Sequence, residues 1–280
     1  DQFLHGRVGQ DVPVDPAKYP QKIDGYTIVP KQPVTSLTIP ATGKEEAAIY
    51  YTGDKNTNVV VHFIDSNTGK SVTVVTPQGH TGSSLDLNDN AKVKVPAGYH
   101  RVDKGNQSQN KNLKFTNTKQ DVNVYVAGNV IKDAVITQYY LQDENGKLTD
   151  SPIAPEKPHS GTVGQDITIH PAVIDGYTIS PNQGKMVFDV TPGMHKVVPI
   201  YYTGNKNNTI SVHFIDPNDQ NHTVQIEKPA GHTGSVLNLN DNTIIHIPDG
   251  YHRVDTADVP GKKQSKNPRY SMKEQNVDVY

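Results

Sequence analysis

Apolar and polar residues alternate along this chain in short runs. In Ile210-Ser211-Val212-His213-Phe214-Ile215, an extended backbone puts Ile210, Val212 and Phe214 on one face and Ser211 and His213 on the other. Val61 and Phe63 stand opposite His62 in the same way. Runs rich in Val, Thr, Tyr and Ile are punctuated by 22 Gly and 20 Pro, which predicts many short strands joined by turns. Asn145-Gly146, between Tyr139-Tyr140-Leu141 and Lys147-Leu148, signals a tight hairpin because both residues tolerate positive φ. Thr68-Gly69 is a weaker signal of the same kind. No window sustains a 3.6-residue period, so at most a helical turn or two per domain is expected, with residues 83–90 as the best candidate.

The pattern repeats. Ile23-Asp24-Gly25-Tyr26-Thr27-Ile28 returns as Ile174-Asp175-Gly176-Tyr177-Thr178-Ile179, and Tyr50-Tyr51-Thr52-Gly53 as Tyr201-Tyr202-Thr203-Gly204. Gly79-His80-Thr81-Gly82-Ser83 returns as Gly231-His232-Thr233-Gly234-Ser235, and Gly98-Tyr99-His100-Arg101-Val102-Asp103 as Gly250-Tyr251-His252-Arg253-Val254-Asp255. Residues 129–280 therefore read as one complete unit, whereas 1–128 lack the opening that corresponds to about 129–155. The first small domain is expected to be incomplete, with an unpaired edge unless something else covers it. The chain reads as a piece of a longer protein.

Each repeat divides again at its Tyr-Tyr-Thr-Gly, giving four modules: 1–52 (truncated), 53–128, 129–204 and 205–280. The Asn/Lys stretches at 54–58 and 205–208 are too short to act as free linkers. Modules of about 75 residues are individually marginal, and docking end to end would bury more surface and stiffen an elongated array.

Composition narrows the function classes. Only 34% of residues are apolar and mean hydropathy is -0.62, so the cores must be thin. Lys plus Arg is 27 against 29 Asp plus Glu, a net charge of -2, without the basic stripe of a nucleic-acid binder or a polybasic membrane anchor. Zero Cys excludes disulfides, thiolate metal sites and a cysteine nucleophile. No apolar run approaches the roughly 20 residues of a membrane span, and the first residues lack a signal-peptide layout.

Catalytic motifs are missing as well: there is no Gly-x-Ser-x-Gly elbow, no His-Glu-x-x-His and no phosphate-cradling glycine loop. The chain is read as a non-enzyme. The most attractive binding candidate is the repeated Gly-Tyr-His-Arg-Val-Asp. On a strand, Tyr99, Arg101 and Asp103 share a face, as do Tyr251, Arg253 and Asp255. A phenol ring can cover the apolar side of a sugar, Arg offers a planar fork to a sialic carboxylate or a sulfate, and Asp can accept sugar hydroxyls. The structural alternative packs Tyr at a domain joint, with Arg beside Asp. In each of the pairs Tyr50/Tyr51 and Tyr201/Tyr202 one ring is expected to enter the core and the other to face outward, serving module packing or, alternatively, an aromatic contact surface. His62 and His213 read as part of a solvated sheet face, and no histidine spacing matches a zinc site. Asn88-Asp89-Asn90, Asn240-Asp241-Asn242 and Asp143-Glu144-Asn145 gather oxygens suited to calcium, but they lack its twelve-residue loop spacing, so no cofactor is assigned. Twelve His against a charge of -2 would bring the chain to +10 if all were protonated. Attraction to anionic, sialylated or sulfated glycans is therefore expected to grow as pH falls from 7 to 5.

Taken in order and spacing, these motifs resemble a known family. Residues 135–202 resemble the mucin-binding (MucBP-type) repeat of Gram-positive surface adhesins, through Asp143-Glu144-Asn145-Gly146-Lys147, Gly161-Thr162-Val163-Gly164, Ile174-Asp175-Gly176-Tyr177 and the terminal Tyr-Tyr strand. Residues 209–280 resemble the second domain type of lactobacillal mucus-binding (Mub) proteins, through Val212-His213-Phe214-Ile215-Asp216, Gly231-His232-Thr233-Gly234 and Gly250-Tyr251-His252-Arg253-Val254-Asp255. The resemblance implies mainly β modules (an α+β, ubiquitin-like β-grasp with little helix), display on the bacterial cell surface, wall anchoring through other parts of the parent protein, and non-catalytic adhesion to mucin glycoproteins by many weak contacts. The alternatives are an immunoglobulin- or other protein-binding module using a sheet edge, or a structural spacer.

Overall fold

A computed structural model describes residues 3–18, 22–103, 113–143, 145–254 and 265–280. The chain forms two compact units, Asp1–Asn129 and Val130–Tyr280. Both are mainly β, and no helix occurs among the described residues.

The second unit opens with the hairpin that the Asn145-Gly146 pair predicts. Val130–Gln142 and Leu148–Thr162 run antiparallel, closed by Asp143, whose Oδ1 accepts from the Asn145 and Lys147 amides at 2.9 and 2.8 Å while Gly146 takes φ 80°. Val130–Gln142 also pairs in parallel with Lys196–Gly204, and Tyr177–Ile179 completes a four-stranded sheet. The outer strand carries Pro152, Pro155 and Pro158, residues that suit an edge because they offer no ladder donor. Inward-facing Val135, Tyr139, Ile169, Phe188, Val198, Ile200 and Tyr202 form the core. There the Tyr139 and Tyr202 rings meet edge to face, 6.1 Å apart.

The remainder of this unit is built on Ile210–Asp216, antiparallel to His222–Glu227 and parallel to Gln275–Val279. Ile210, Val212 and Phe214 are buried as their alternation predicts, against Leu237, Leu239, Ile245 and Tyr270. The first unit repeats this sheet with Val59–Asp65, Ser71–Val75 and Gln120–Gly128, and adds Tyr99–Arg101 along the last of these. Its opening segment is sparser. Tyr26–Ile28 pairs with Tyr51–Gly53, and Asp11–Pro13 with Ser36–Thr38. Val14 is the one buried hydrophobic residue before Val59 among the described residues.

Residues 83–90 do not form the expected helical turn. Ser84–Leu85 is a short strand paired with Leu113–Lys114, and Leu85 and Leu87 are buried at a two-residue period. The Asp86 and Asp89 carboxylates accept from the Asn88 and Ala91 amides, both at 2.9 Å, a local alternative to helical bonding. A single α-turn follows, where the Val93 amide donates to the Asp89 carbonyl at 2.8 Å. Ile245 and Asp241 repeat it in the second unit.

The repeated motifs converge within each unit. Gly25, at φ 82°, presents its carbonyl to the Asp54 amide at 2.8 Å, and the Asp54 carbonyl accepts from Thr81 at 3.0 Å. Gly176, Asn205 and Thr233 reproduce this chain at 2.8 and 3.0 Å. Gly53 and Gly204 lie so close to the Thr81 and Thr233 carbonyls that any Cβ there would collide with backbone. Ile-Asp-Gly-Tyr, Tyr-Tyr-Thr-Gly and Gly-His-Thr-Gly are thus the parts of one joint.

Candidate functional site

Strand Tyr99–Arg101 does place Tyr99 and Arg101 on one face, with His100 opposite, but that face turns inward. Tyr99 packs against the core of the first unit, and burial raises the pKa of its phenol, with Asp65 adding to the effect. The Arg101 guanidinium lies 5.9 Å from the Phe63 ring centre, and its Nη2 donates to the Val93 carbonyl at 2.7 Å and to Asn90 Oδ1 at 3.1 Å. Its Nε and Nη1 are buried without a hydrogen-bond partner, and burial lowers its pKa against a smaller opposing pull from Asp86. Asp103 is exposed beyond the strand end.

In the second unit Tyr251 is 48% exposed, and Arg253 donates from Nε and Nη2 to Asn242 Oδ1 at 3.3 and 3.0 Å. Asp255 lies outside the described residues. Tyr251, His252 and Arg253 line a pocket of about 240 Å³, together with Phe214, Pro248 and Tyr280. In the first unit the motif is part of a packed ribbon, in which Tyr99–Arg101 pairs with residues 126–128.

The second pair of tyrosines divides as strand alternation requires, whereas in the first pair neither Tyr50 nor Tyr51 enters a core. Tyr202 is fully buried and donates from its hydroxyl to the Ala172 carbonyl at 2.6 Å, whereas Tyr201 is only half-buried. His62 lies on the outer sheet face with Nε2 at 2.9 Å from Asp121 Oδ1. Among the described residues no three metal-ligating side chains cluster, and in the Asn88-Asp89-Asn90 turn the Asp89 and Asn90 side-chain oxygens already accept protein donors.

Motif reading missed a second concave surface. Lys185, Phe188, Asp189, Thr191, Met194, His195, Lys196 and Val197 line an open depression of about 560 Å³. Val187–Asp189 pairs with Asp166–Thr168, which orients Phe188 into the core, and Lys185 and Lys196 reach its ring from the loop before and the strand after. Their Nζ atoms stand 5.9 and 5.1 Å from the ring centre. The signal was a difference between repeats: Lys185, Phe188 and Lys196 correspond to Val34, Leu37 and Glu45.

Comparison with known proteins completes the picture. The MucBP domain family matches residues 58–125 and 135–207, together just over half of the chain. Internalin J of Listeria monocytogenes serovar 1/2a is 27% identical over 165 residues, covering 57% of this chain and 18% of that protein. Internalin J of serotype 4b is 29% identical over 226 residues, covering 78% and 22%. The chain thus spans about a fifth of the length of these curated relatives. Among solved structures, a crystal structure of Mub-RV is 17% identical over 54% of this chain and all of that one, with a TM-score of 0.20. The type 2 repeat of the mucus binding protein MUB from Lactobacillus reuteri is 13% identical, covering 54% and 99%, with a TM-score of 0.19.

Proposed function

The chain belongs to the MucBP domain family, and from that premise we propose that it is part of a bacterial surface adhesin that binds mucus glycoproteins without catalysis. The observation that carries this reading is the family match at two successive places in one chain, residues 58–125 and 135–207. Two neighbouring modules of a binding family suit a polymeric target, because a second contact formed near the first gains from a high effective concentration. The four-module division at 52, 128 and 204, extracellular display and wall anchoring through other parts of the parent protein belong to the same proposal.

The ribbon motif takes part in it. Tyr251 and Arg253 are proposed as glycan contacts in the second unit. Tyr99 and Arg101, held against the first core, act as the scaffold of that ribbon, with Asp103 at its exposed end.

Retention of the full chain on immobilised mucin tests the reading. Enzymatic deglycosylation of the mucin is expected to abolish most of the retention, and diluting the mucin on the surface is expected to weaken it more steeply than in proportion. Full retention on deglycosylated mucin would instead favour recognition of protein, immunoglobulin included. A chain with no affinity for mucin at any density would fit a spacer.

A further inference from the structure

We propose that Lys185, Lys196 and His195, arranged around Phe188, form a subsite for the anionic group of a host saccharide. The inference rests on the adhesin reading above and names the ligand chemistry of one surface that the repeated motifs do not mark.

Both ammonium groups approach the same ring, at 5.9 and 5.1 Å from its centre, so the two charges stand no more than about 11 Å apart. Neither makes an ion pair with a carboxylate among the described residues, unlike Lys119, which holds Asp121 at 3.1 Å. The ring itself is 6% exposed. It therefore serves as a platform for two lysine ammonium groups rather than as a stacking surface for a sugar. Phe188 is in turn fixed by the core and by its pairing with Ile167, so the platform is rigid.

The depression also contains exposed His195 and Asp189. Two lysines against one aspartate leave a local excess of one positive charge on a chain whose net charge is -2. The remaining lining, Thr191 with Met194 and Val197, offers a hydroxyl and apolar patches, the mixture that a pyranose ring presents in return. The surface is open and shallow, which fits a terminal sugar unit better than an enclosed small molecule.

The contrast between the repeats sharpens the assignment. At the corresponding positions the first unit has Val34 for Lys185, Leu37 for Phe188 and Glu45 for Lys196, retaining only Lys44 beside His195. The platform and both of its cations are absent there, so the subsite belongs to the second unit alone. A sulfate ester and a sialic acid carboxylate share the required chemistry: a compact anion on an exposed sugar that accepts charge-assisted hydrogen bonds from ammonium groups.

Calorimetric titration of the full chain with a sialylated lactose, a sulfated lactose and plain lactose tests the proposal and separates the two sources. At least one charged sugar is expected to bind and plain lactose to bind at least about tenfold more weakly. Lys185→Ala/Lys196→Ala is expected to remove this preference, while Lys185→Arg/Lys196→Arg keeps it. Salt that shortens the Debye length to about 3 Å should weaken the charged sugars selectively. Both lysines are exposed, and unchanged circular dichroism and thermal unfolding of the variants would establish that the fold is retained. Equal affinity for charged and neutral sugars, or an alanine variant that binds like the parent, overturns the subsite. Mucin retention that persists in that variant leaves the adhesin reading standing, whereas a parent chain that binds a charged sugar but never mucin overturns that reading and not this one.

Discussion

Residues 22–53 and 174–204 carry the same motifs, yet only the second set is built around a core. Local geometry is preserved in both. Gln32 donates to the Val29 and Tyr50 carbonyls at 2.6 and 3.0 Å and accepts from the Tyr50 amide at 2.8 Å. Gln183 makes the same clamp on Ser180 and Tyr201, at 2.8, 2.7 and 3.1 Å. The fate of the tyrosines differs. Tyr202 is fully buried beside Tyr139, which the hairpin Val130–Thr162 supplies, whereas Tyr51 is half-buried and Tyr50 is 53% exposed. Turns and clamps follow from neighbouring residues. Burial requires a partner from far along the chain.

The strongest way to break this comparison is to truncate the two tyrosines in turn. Tyr202→Ala removes a fully buried ring and its bond to Ala172, and is expected to cost about 3–5 kcal/mol. Tyr51→Ala should cost about 1 kcal/mol. Native-state hydrogen exchange of the full chain, read separately for each unit, checks both values, since one denaturation curve would merge two units. Similar costs at the two sites would mean that the opening segment of the first unit has a core that its exposure conceals.

The ribbon motif gives a second contrast of intermediate size. Arg101 reaches a backbone carbonyl, Asn90 and the Phe63 ring, whereas Arg253 reaches Asn242. Arg101→Ala is expected to destabilise the first unit by about 2 kcal/mol, with Arg253→Ala costing the second unit less than about 1 kcal/mol. Part of each loss is offset, because the substitutions also remove buried nitrogens that have no partner, Nε and Nη1 of Arg101 and Nη1 of Arg253. On a mucin surface the order should reverse, with Arg253→Ala weakening retention more than Arg101→Ala.

These contrasts also show what could be read from sequence. The Asn145-Gly146 hairpin, the burial of Ile210, Val212 and Phe214, and the shared face of Tyr99 and Arg101 all follow from local rules, period two above all. The direction of that shared face does not. It turns inward because Tyr99–Arg101 pairs with the end of Gln120–Gly128, 25 to 29 residues away, where Val126 is fully buried. The helical turn expected at 83–90 failed because Asp86 and Asp89 bond their own turns while Leu85 and Leu87 enter the core as a strand pair would. The Phe188 platform lies at positions where the repeats differ, so their shared motifs do not mark it. Lys185 and Lys196 are eleven residues apart, and only the fold brings both ammonium groups to one ring.

The smallest predicted effect separates the units by pH. His159 lies on the hairpin strand, with Nε2 at 3.2 Å from Thr137 Oγ1, and burial lowers its pKa below 6.5, with Lys157 adding repulsion. The folded second unit thus holds this imidazole neutral more strongly than the unfolded chain does. Its contribution is complete above the ordinary value and is lost as pH falls through the folded one. In the first unit the shifted group is Asp121, whose pKa drops below 3.8 chiefly through its hydrogen bond with His62 and then with Lys119. That contribution is present above 3.8 and disappears only in stronger acid. Acidification from pH 7 to 5 should therefore lower the opening free energy of the second unit, read from hydrogen exchange after correction for the slower intrinsic exchange in acid, while the contribution of Asp121 to the first stays intact. For a partly exposed imidazole the change is of order a few tenths of a kcal/mol. His159→Gln, which keeps an amide donor but cannot titrate, should flatten the response, and Asp121→Asn should leave it unchanged. A response that persists in His159→Gln would assign it to other histidines, and the hairpin would no longer distinguish the two units by pH.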